Sequence, residues 1–259
     1  MPLPTYDDVL AAAARIAPHA HATPVLRSRA LDALAGCELH FKAEPLQRTG
    51  AFKFRGACNA VWALDEATAA RGVVTHSSGN HGAALALAAR TRGIPCHVVV
   101  PEGANAAKRA NIARQGATLH TCAATIAARE ATAARVQADT GARLIHPYTD
   151  PHVIAGQGTA ALELINAKGP LDVLVAPVGG GGLLSGTALA VAATASGCRV
   201  MGAEPTGAAD AAESLAAGEL RVDFIPDTLC DGLRGTLAAP NFALLRAHRV
   251  EVGPVPDAE

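Results

Sequence analysis

The feature that most constrains this chain is an alternation. Short apolar runs of β type take turns with alanine-rich stretches of helical length. Strands are predicted at Glu38–Lys42, Val73–His76, His97–Val100, Thr118–Thr121, Leu144–His146, Leu171–Pro177 and Arg199–Ala203. Several are apolar throughout, the pattern of parallel strands covered on both faces. Between them, helices are predicted at Asn80–Arg92, Asn105–Arg114, Ala123–Thr140, Ile154–Ala167 and Leu183–Ser196. Asn80 and Asn105 stand at N-cap positions; Gly93, Gly116, Gly141 and Gly197 stand where helices stop. Such alternation gives an α/β fold with mostly parallel sheet.

The 259 residues, 50% of them hydrophobic, suffice for one large core or two modest ones. A net charge of -1 leaves no basic surplus for nucleic acid or an anionic membrane, and 3% aromatics leave little for base stacking. The opening MPLPTYDDVL is acidic and leads into an amphipathic stretch, unlike a signal peptide. The longest apolar candidate for a membrane span, Leu171–Val178, is only strand-sized. Six scattered cysteines without a CxxC pair read as reduced thiols of a cytoplasmic protein. Ten histidines show no HExxH and no zinc-like spacing to cysteine.

Three turns carry the chemistry. In Thr49-Gly-Ala-Phe-Lys53-Phe-Arg-Gly56 a lysine opens a helix between aromatics. A desolvated lysine has a lowered pKa and becomes a usable amine nucleophile, although a lysine beside phenylalanine is more often a snorkelling side chain. In Thr75-His-Ser-Ser-Gly-Asn-His-Gly82 a strand gives way to a helix, aiming backbone N–H groups and small hydroxyls at an anion. Val178-Gly-Gly-Gly-Gly-Leu183 follows a strand and opens another helix. A simple turn needs one glycine; four in a row let successive amides close on a phosphate. Neither a P-loop GK[ST] nor a dinucleotide GxGxxG context accompanies the run. A phosphate cup without a nucleotide grip, beside a candidate amine nucleophile, points to pyridoxal 5'-phosphate (PLP).

These residues resemble the fold-type II PLP enzymes of the serine racemase and threonine/serine dehydratase branch. The matching segments are TPVLRS (23–28), FKAEPLQRTGAFKFRGACNAV (41–61), VVTHSSGNHG (73–82), GIPCHVVVPEGA (93–104), HPYTDPHVIAGQGTAALEL (146–164), VAPVGGGGLLSG (175–186), AEP (203–205) and DGLRG (231–235). The resemblance implies a tryptophan synthase β-like fold of two open α/β/α domains. Residues 1–71 plus 150–259 would form the large one and 72–149 the small one. It implies that Lys53 is the Schiff-base lysine and later moves the Cα proton, with Phe52 packed beside the ring. Ser77, Ser78, Gly79, Asn80 and His81 would cradle the substrate carboxylate, and Asn80 would also face the cofactor's phenolic oxygen. Ser78 would face the side of Cα opposite Lys53, and Gly179, Gly180, Gly181 and Gly182 would hold the phosphate. Arg129 matches an active-site arginine of the racemases. Glu204, the carbonyl of Ala208, and Asp210 match ligands of a Mg2+ or Ca2+ ion. The implied reaction removes water and ammonia from serine, threonine or threo-3-hydroxyaspartate, with racemisation as a side activity, in a cytoplasmic homodimer.

Two departures stand out. Tyr148 occupies a position where the mammalian racemases carry a smaller amide. After Asp231-Gly232 there is no Ser-Gly-Gly turn, whose serine partners the pyridine nitrogen in the family, so the chain reads as C-terminally truncated. The alternatives are a PLP-binding but inactive fragment and a β-replacement enzyme of the same fold, which would carry threonine in place of His81. A hydride-transferring dehydrogenase ranks last.

Overall fold

A computed structural model describes residues 2–195 and 197–258. The predicted helix end at Ser196 and the domain limits at Met1 and Glu259 lie outside the described residues. The chain opens with α1 (Tyr6–Ile16), β1 (Val25–Leu26), α2 (Arg29–Ala35), β2 (Phe41–Lys42), α3 (Lys53–Trp62) and α4 (Glu66–Arg71). Next come β3 (Val73–Thr75), α5 (Asn80–Arg92), β4 (Cys96–Pro101), α6 (Ala106–Arg114), β5 (Thr118–Cys122), α7 (Ile126–Thr140) and β6 (Arg143–Leu144). The remainder is α8 (Pro151–Lys168), β7 (Val173–Pro177), α9 (Gly182–Thr194), β8 (Arg199–Pro205), α10 (Asp210–Ala217), α11 (Ala239–Ala247) and β9 (Glu251–Val255).

Two parallel sheets carry the molecule. One runs β5-β4-β3-β6 and the other β7-β8-β9; β1 and β2 form a separate antiparallel ribbon. In the first sheet Val73, Cys96, Val98 and Val100 share a core with α3 and α5. Val74 and Val99, one residue out of phase, pack with Ala133 and Val136 of α7. Coverage on both faces is why these strands read as unbroken apolar runs. β7 is equally apolar but differs: Leu174 and Ala176 are buried, whereas Val175 is 60% exposed.

The α/β class and parallel sheets agree with the sequence reading, and most boundary differences have local causes. The strand expected at Glu38–Lys42 shrinks to the two residues of β2, on an antiparallel ribbon. Gly79, not Asn80, is the N-cap of α5. Asn105 does cap α6, its Oδ1 accepting from the amides of Ala107 and Lys108. α7 begins only at Ile126 because the Thr125 hydroxyl accepts from the Ala128 amide. α8 begins earlier than predicted, at Pro151, with Asp150 Oδ1 accepting from His152 N at 2.9 Å. An aspartate cap followed by proline at the first helical position is a strong start signal.

Candidate active site

A cavity of about 510 Å³ opens at the carboxyl ends of β3 and β7. In parallel α/β sheets this is where loops and helix N-termini converge. Phe52, Lys53, the turn from His76 to His81, Arg129, the loop from His146 to Tyr148 and Gly179–Gly182 all line it. Three motifs far apart in sequence therefore share one wall-to-wall space.

Lys53 is the first residue of α3, and its Nζ donates to the carbonyl of Pro147 at 3.0 Å. Burial pushes its pKa down to about 8. A low-dielectric wall disfavours the ammonium, so the neutral nucleophilic amine is within reach near physiological pH. Nζ also sits 5.3 Å from the centroid of the Phe52 ring.

Burial lowers the pKa of the surrounding histidines, His76, His81 and His146. His81 is 2% exposed, and neither ring nitrogen has a partner among the described residues. Burial, reinforced by the Lys53 charge, keeps its pKa far below the ordinary value. His146 is pushed down to about 4, chiefly by burial and then by His76. Its Nδ1 lies 3.4 Å from the Tyr148 amide and 3.2 Å from the Thr149 amide, both donors, which assigns the proton of neutral His146 to Nε2. His76 and Tyr148 each meet the His146 ring edge-on, at centroid distances of 5.1 and 4.6 Å. His76 and His146 were not singled out in the sequence; the packing of the 146–149 loop against the end of β3 brings them in.

The glycine run is shaped by its neighbours. A Cβ at Gly180 would fall 2.4 Å from the Tyr148 ring, and one at Gly181 would fall 2.6 Å from Leu237. Gly181 also has φ +89°, which disfavours any side chain. The amides of this run stand at the N-terminus of α9, a favourable seat for a phosphate. Across the cavity Arg129 projects from α7 with a buried Nε that has no partner among the described residues. Lys108 of α6 pairs with Asp231 at the cavity mouth. A deep amine, an amide cup and an unsatisfied imidazole facing one cavity fit a PLP-sized group.

Glu204 and Asp210 lie outside this cavity, at the end of β8 and the start of α10. Both are buried, at 1% and 2% exposure. Glu204 accepts from the amides of Ala211 and Ala212, and Asp210 from that of Leu237. Burial raises the pKa of both, Glu204 to about 7, and the Asp210 charge adds to that shift. Among the described residues neither carboxylate has an ion-pair partner, and no group of three or more His, Cys, Asp or Glu is arranged for a metal. Buried carboxylates are the oxygen donors that a hard divalent cation takes.

The sequence profile described as "Pyridoxal-phosphate dependent enzyme" matches residues 16–259. A beta-hydroxyaspartate dehydratase from Paracoccus denitrificans is 48% identical over 259 residues, covering 100% of this chain and 82% of the relative. A serine racemase from Arabidopsis thaliana is 50% identical over 232 residues, covering 90% of this chain and 70% of the relative. The structure of maize serine racemase superposes with a TM-score of 0.97 at 45% identity, over 99% of this chain and 78% of that one. No helix among the described residues is long and apolar enough to cross a membrane. With its parallel sheets, its lysine-bearing cleft and these matches, the chain belongs to the pyridoxal-phosphate dependent enzyme family.

Proposed function

We propose that this chain is an ammonia-lyase that removes water and ammonia from a small β-hydroxy amino acid. The observation that carries the reading is that Lys53 Nζ opens into the same cavity as the HSSGNH turn and the Gly179–Gly182 amides. When bound, PLP supplies an electron sink that makes the substrate's Cα proton removable. Lys53 Nζ would be the cofactor's attachment point and the base that takes that proton. Phe52 would pack beside the ring, Asn80 would face its phenolic oxygen and Gly179–Gly182 would hold the phosphate. Ser77, Ser78, Gly79, Asn80 and His81 orient the substrate carboxylate. The β-hydroxyl takes up a proton and leaves as water; the released enamine tautomerises to the imine, and one water hydrolyses it to the 2-oxo acid and ammonia.

The substrate class we favour is a hydroxy amino acid with a second carboxylate, such as threo-3-hydroxyaspartate. The unpartnered Nε of Arg129 at the cavity wall supports this, as does a relative named for hydroxyaspartate. Serine and threonine remain within the same class. Glu204, the Ala208 carbonyl and Asp210 are proposed to hold Mg2+ or Ca2+. We read residues 72–149 as the small domain and the rest as the large one, in a cytoplasmic homodimer.

The test is the purified chain supplied with PLP and each hydroxy amino acid. Equal yields of 2-oxo acid and ammonia are expected, abolished by Lys53→Ala. A chain that takes up PLP with a visible absorbance band but releases no 2-oxo acid is the inactive fragment instead. Racemisation is a second reading, favoured by Ser78 in the same cavity and by relatives named serine racemase. Ser78→Ala should then lose activity on D-serine and keep 2-oxo acid release from L-serine. Equal loss on both enantiomers would leave Ser78 a carboxylate-binding group only.

A further inference from the structure

Asn241 belongs to none of the three motifs, yet its side chain joins two walls of the cavity. It lies on α11 and is 0% exposed. Its Nδ2 donates to the carbonyl of Tyr148 at 2.9 Å and to the carbonyl of Gly180 at 2.5 Å. A primary amide carries two N–H donors, and each meets one of these carbonyls. The flipped amide would set Oδ1 against both acceptors, so the orientation is fixed by chemistry.

One carbonyl belongs to the glycine run itself and the other to the 146–149 loop packed against it. The Tyr148 ring fills the space a side chain at Gly180 would need, and the Asn241 Cβ lies 2.8 Å from a Cβ built on Gly181. Immediately before Tyr148, the Pro147 carbonyl accepts from Lys53 Nζ. One buried amide thereby fixes the direction of the Gly180 peptide, the seat of Tyr148 and, through the same loop, the acceptor that orients Lys53. Removing its donors leaves two part-buried carbonyls without this partner.

We infer that Asn241 is a positioning residue that sets the shape of the phosphate cup formed by Gly179–Gly182. The inference rests on the PLP reading of that cup and goes beyond it by assigning the group that holds the cup in place.

The experiment compares the unmodified chain with Asn241→Leu, which keeps volume and loses both donors, and Asn241→Ser, which keeps one short donor. Binding of PLP and of pyridoxal, which lacks the phosphate, is titrated by visible absorbance, and thermal unfolding is recorded without cofactor. Asn241→Leu should weaken PLP binding about tenfold, the scale of one or two lost buried hydrogen bonds, and leave pyridoxal binding unchanged. Asn241→Ser should fall between. Should Asn241→Leu fail to fold, Asn241→Ser decides alone. PLP affinity equal to the parent's in the folded variants overturns the inference. So does equal weakening toward both ligands, which would mark a general structural role. Failure of the unmodified chain to bind PLP overturns the cofactor reading itself and is seen before any variant is compared.

Discussion

A lysine amine deep in a cleft walled by rings and backbone is unfavourable when charged. The folded pKa of Lys53, about 8, lies below the unfolded value of 10.5. The folded state therefore binds that proton less well than the unfolded chain does. Stability attached to Lys53 is full above pH 10.5 and is lost as pH falls toward 8. Below pH 8 the charged amine costs the cofactor-free protein about 3 kcal/mol, from the shift at 1.36 kcal/mol per pKa unit. Lys53→Met should accordingly make the cofactor-free chain more stable than the parent at pH 7, with the difference closing between pH 8 and 10.5. Urea midpoints at pH 7 and pH 10.5 measure it; equal midpoints at pH 7 would mean that the amine reaches solvent. His146 follows the same rule at lower pH. Its value of about 4 places the loss of stability between pH 6.5 and 4.

At the scale of elements, α3 is the piece that aims Lys53, and a buried charge network pins it. Arg55, two residues on, is 0% exposed. Its guanidinium donates to both oxygens of Glu44 and both of Glu163, at 2.6 to 2.9 Å. Glu163 lies on α8 and also receives Lys42. Arg55→Leu leaves two carboxylates facing each other with only Lys42 between, and should destabilise by about 3–5 kcal/mol, the cost of breaking a buried ion pair from one side. Glu163→Gln keeps one acceptor and should do less; thermal unfolding of both variants ranks them. The sequence disclosed such elements unevenly. α5, α6 and the strands β3 to β5 were legible because their apolar runs are bracketed by asparagine and glycine. α10, α11 and β9 were not anticipated: they follow the irregular 219–236 stretch or an alanine-rich run with no strong punctuation. The site divides likewise. Lys53, the HSSGNH turn and the glycine run each advertise themselves within a few residues. His146 and Asn241 acquire meaning only when segments far apart in the chain meet, as Asn241 of α11 and Tyr148, 93 residues apart, do.

Across the whole molecule, the first sheet is not a loosely tethered unit. A single core joins Ile16 of α1, Phe54 and Val61 of α3, Leu85 of α5, Val98 of β4 and Val153 of α8. Trp62, the chain's one tryptophan, ends α3 at this junction. The His19 ring stacks on it at 4.1 Å, and the Arg92 guanidinium from the end of α5 lies 5.5 Å from its ring. Its fluorescence therefore reports whether α5 remains docked on α3, while far-UV circular dichroism reports the helices of both halves. A core shared in this way couples the halves, so urea should produce one transition with the same midpoint by both probes. PLP should shift both midpoints upward together, by the free energy of ligand binding to the native state alone. A fluorescence midpoint well below the dichroism midpoint would mean that the four-stranded sheet undocks before the β7-β8-β9 half unfolds. Lys53, at the other end of α3, would then lose its aim at a urea concentration where most of the helix content survives.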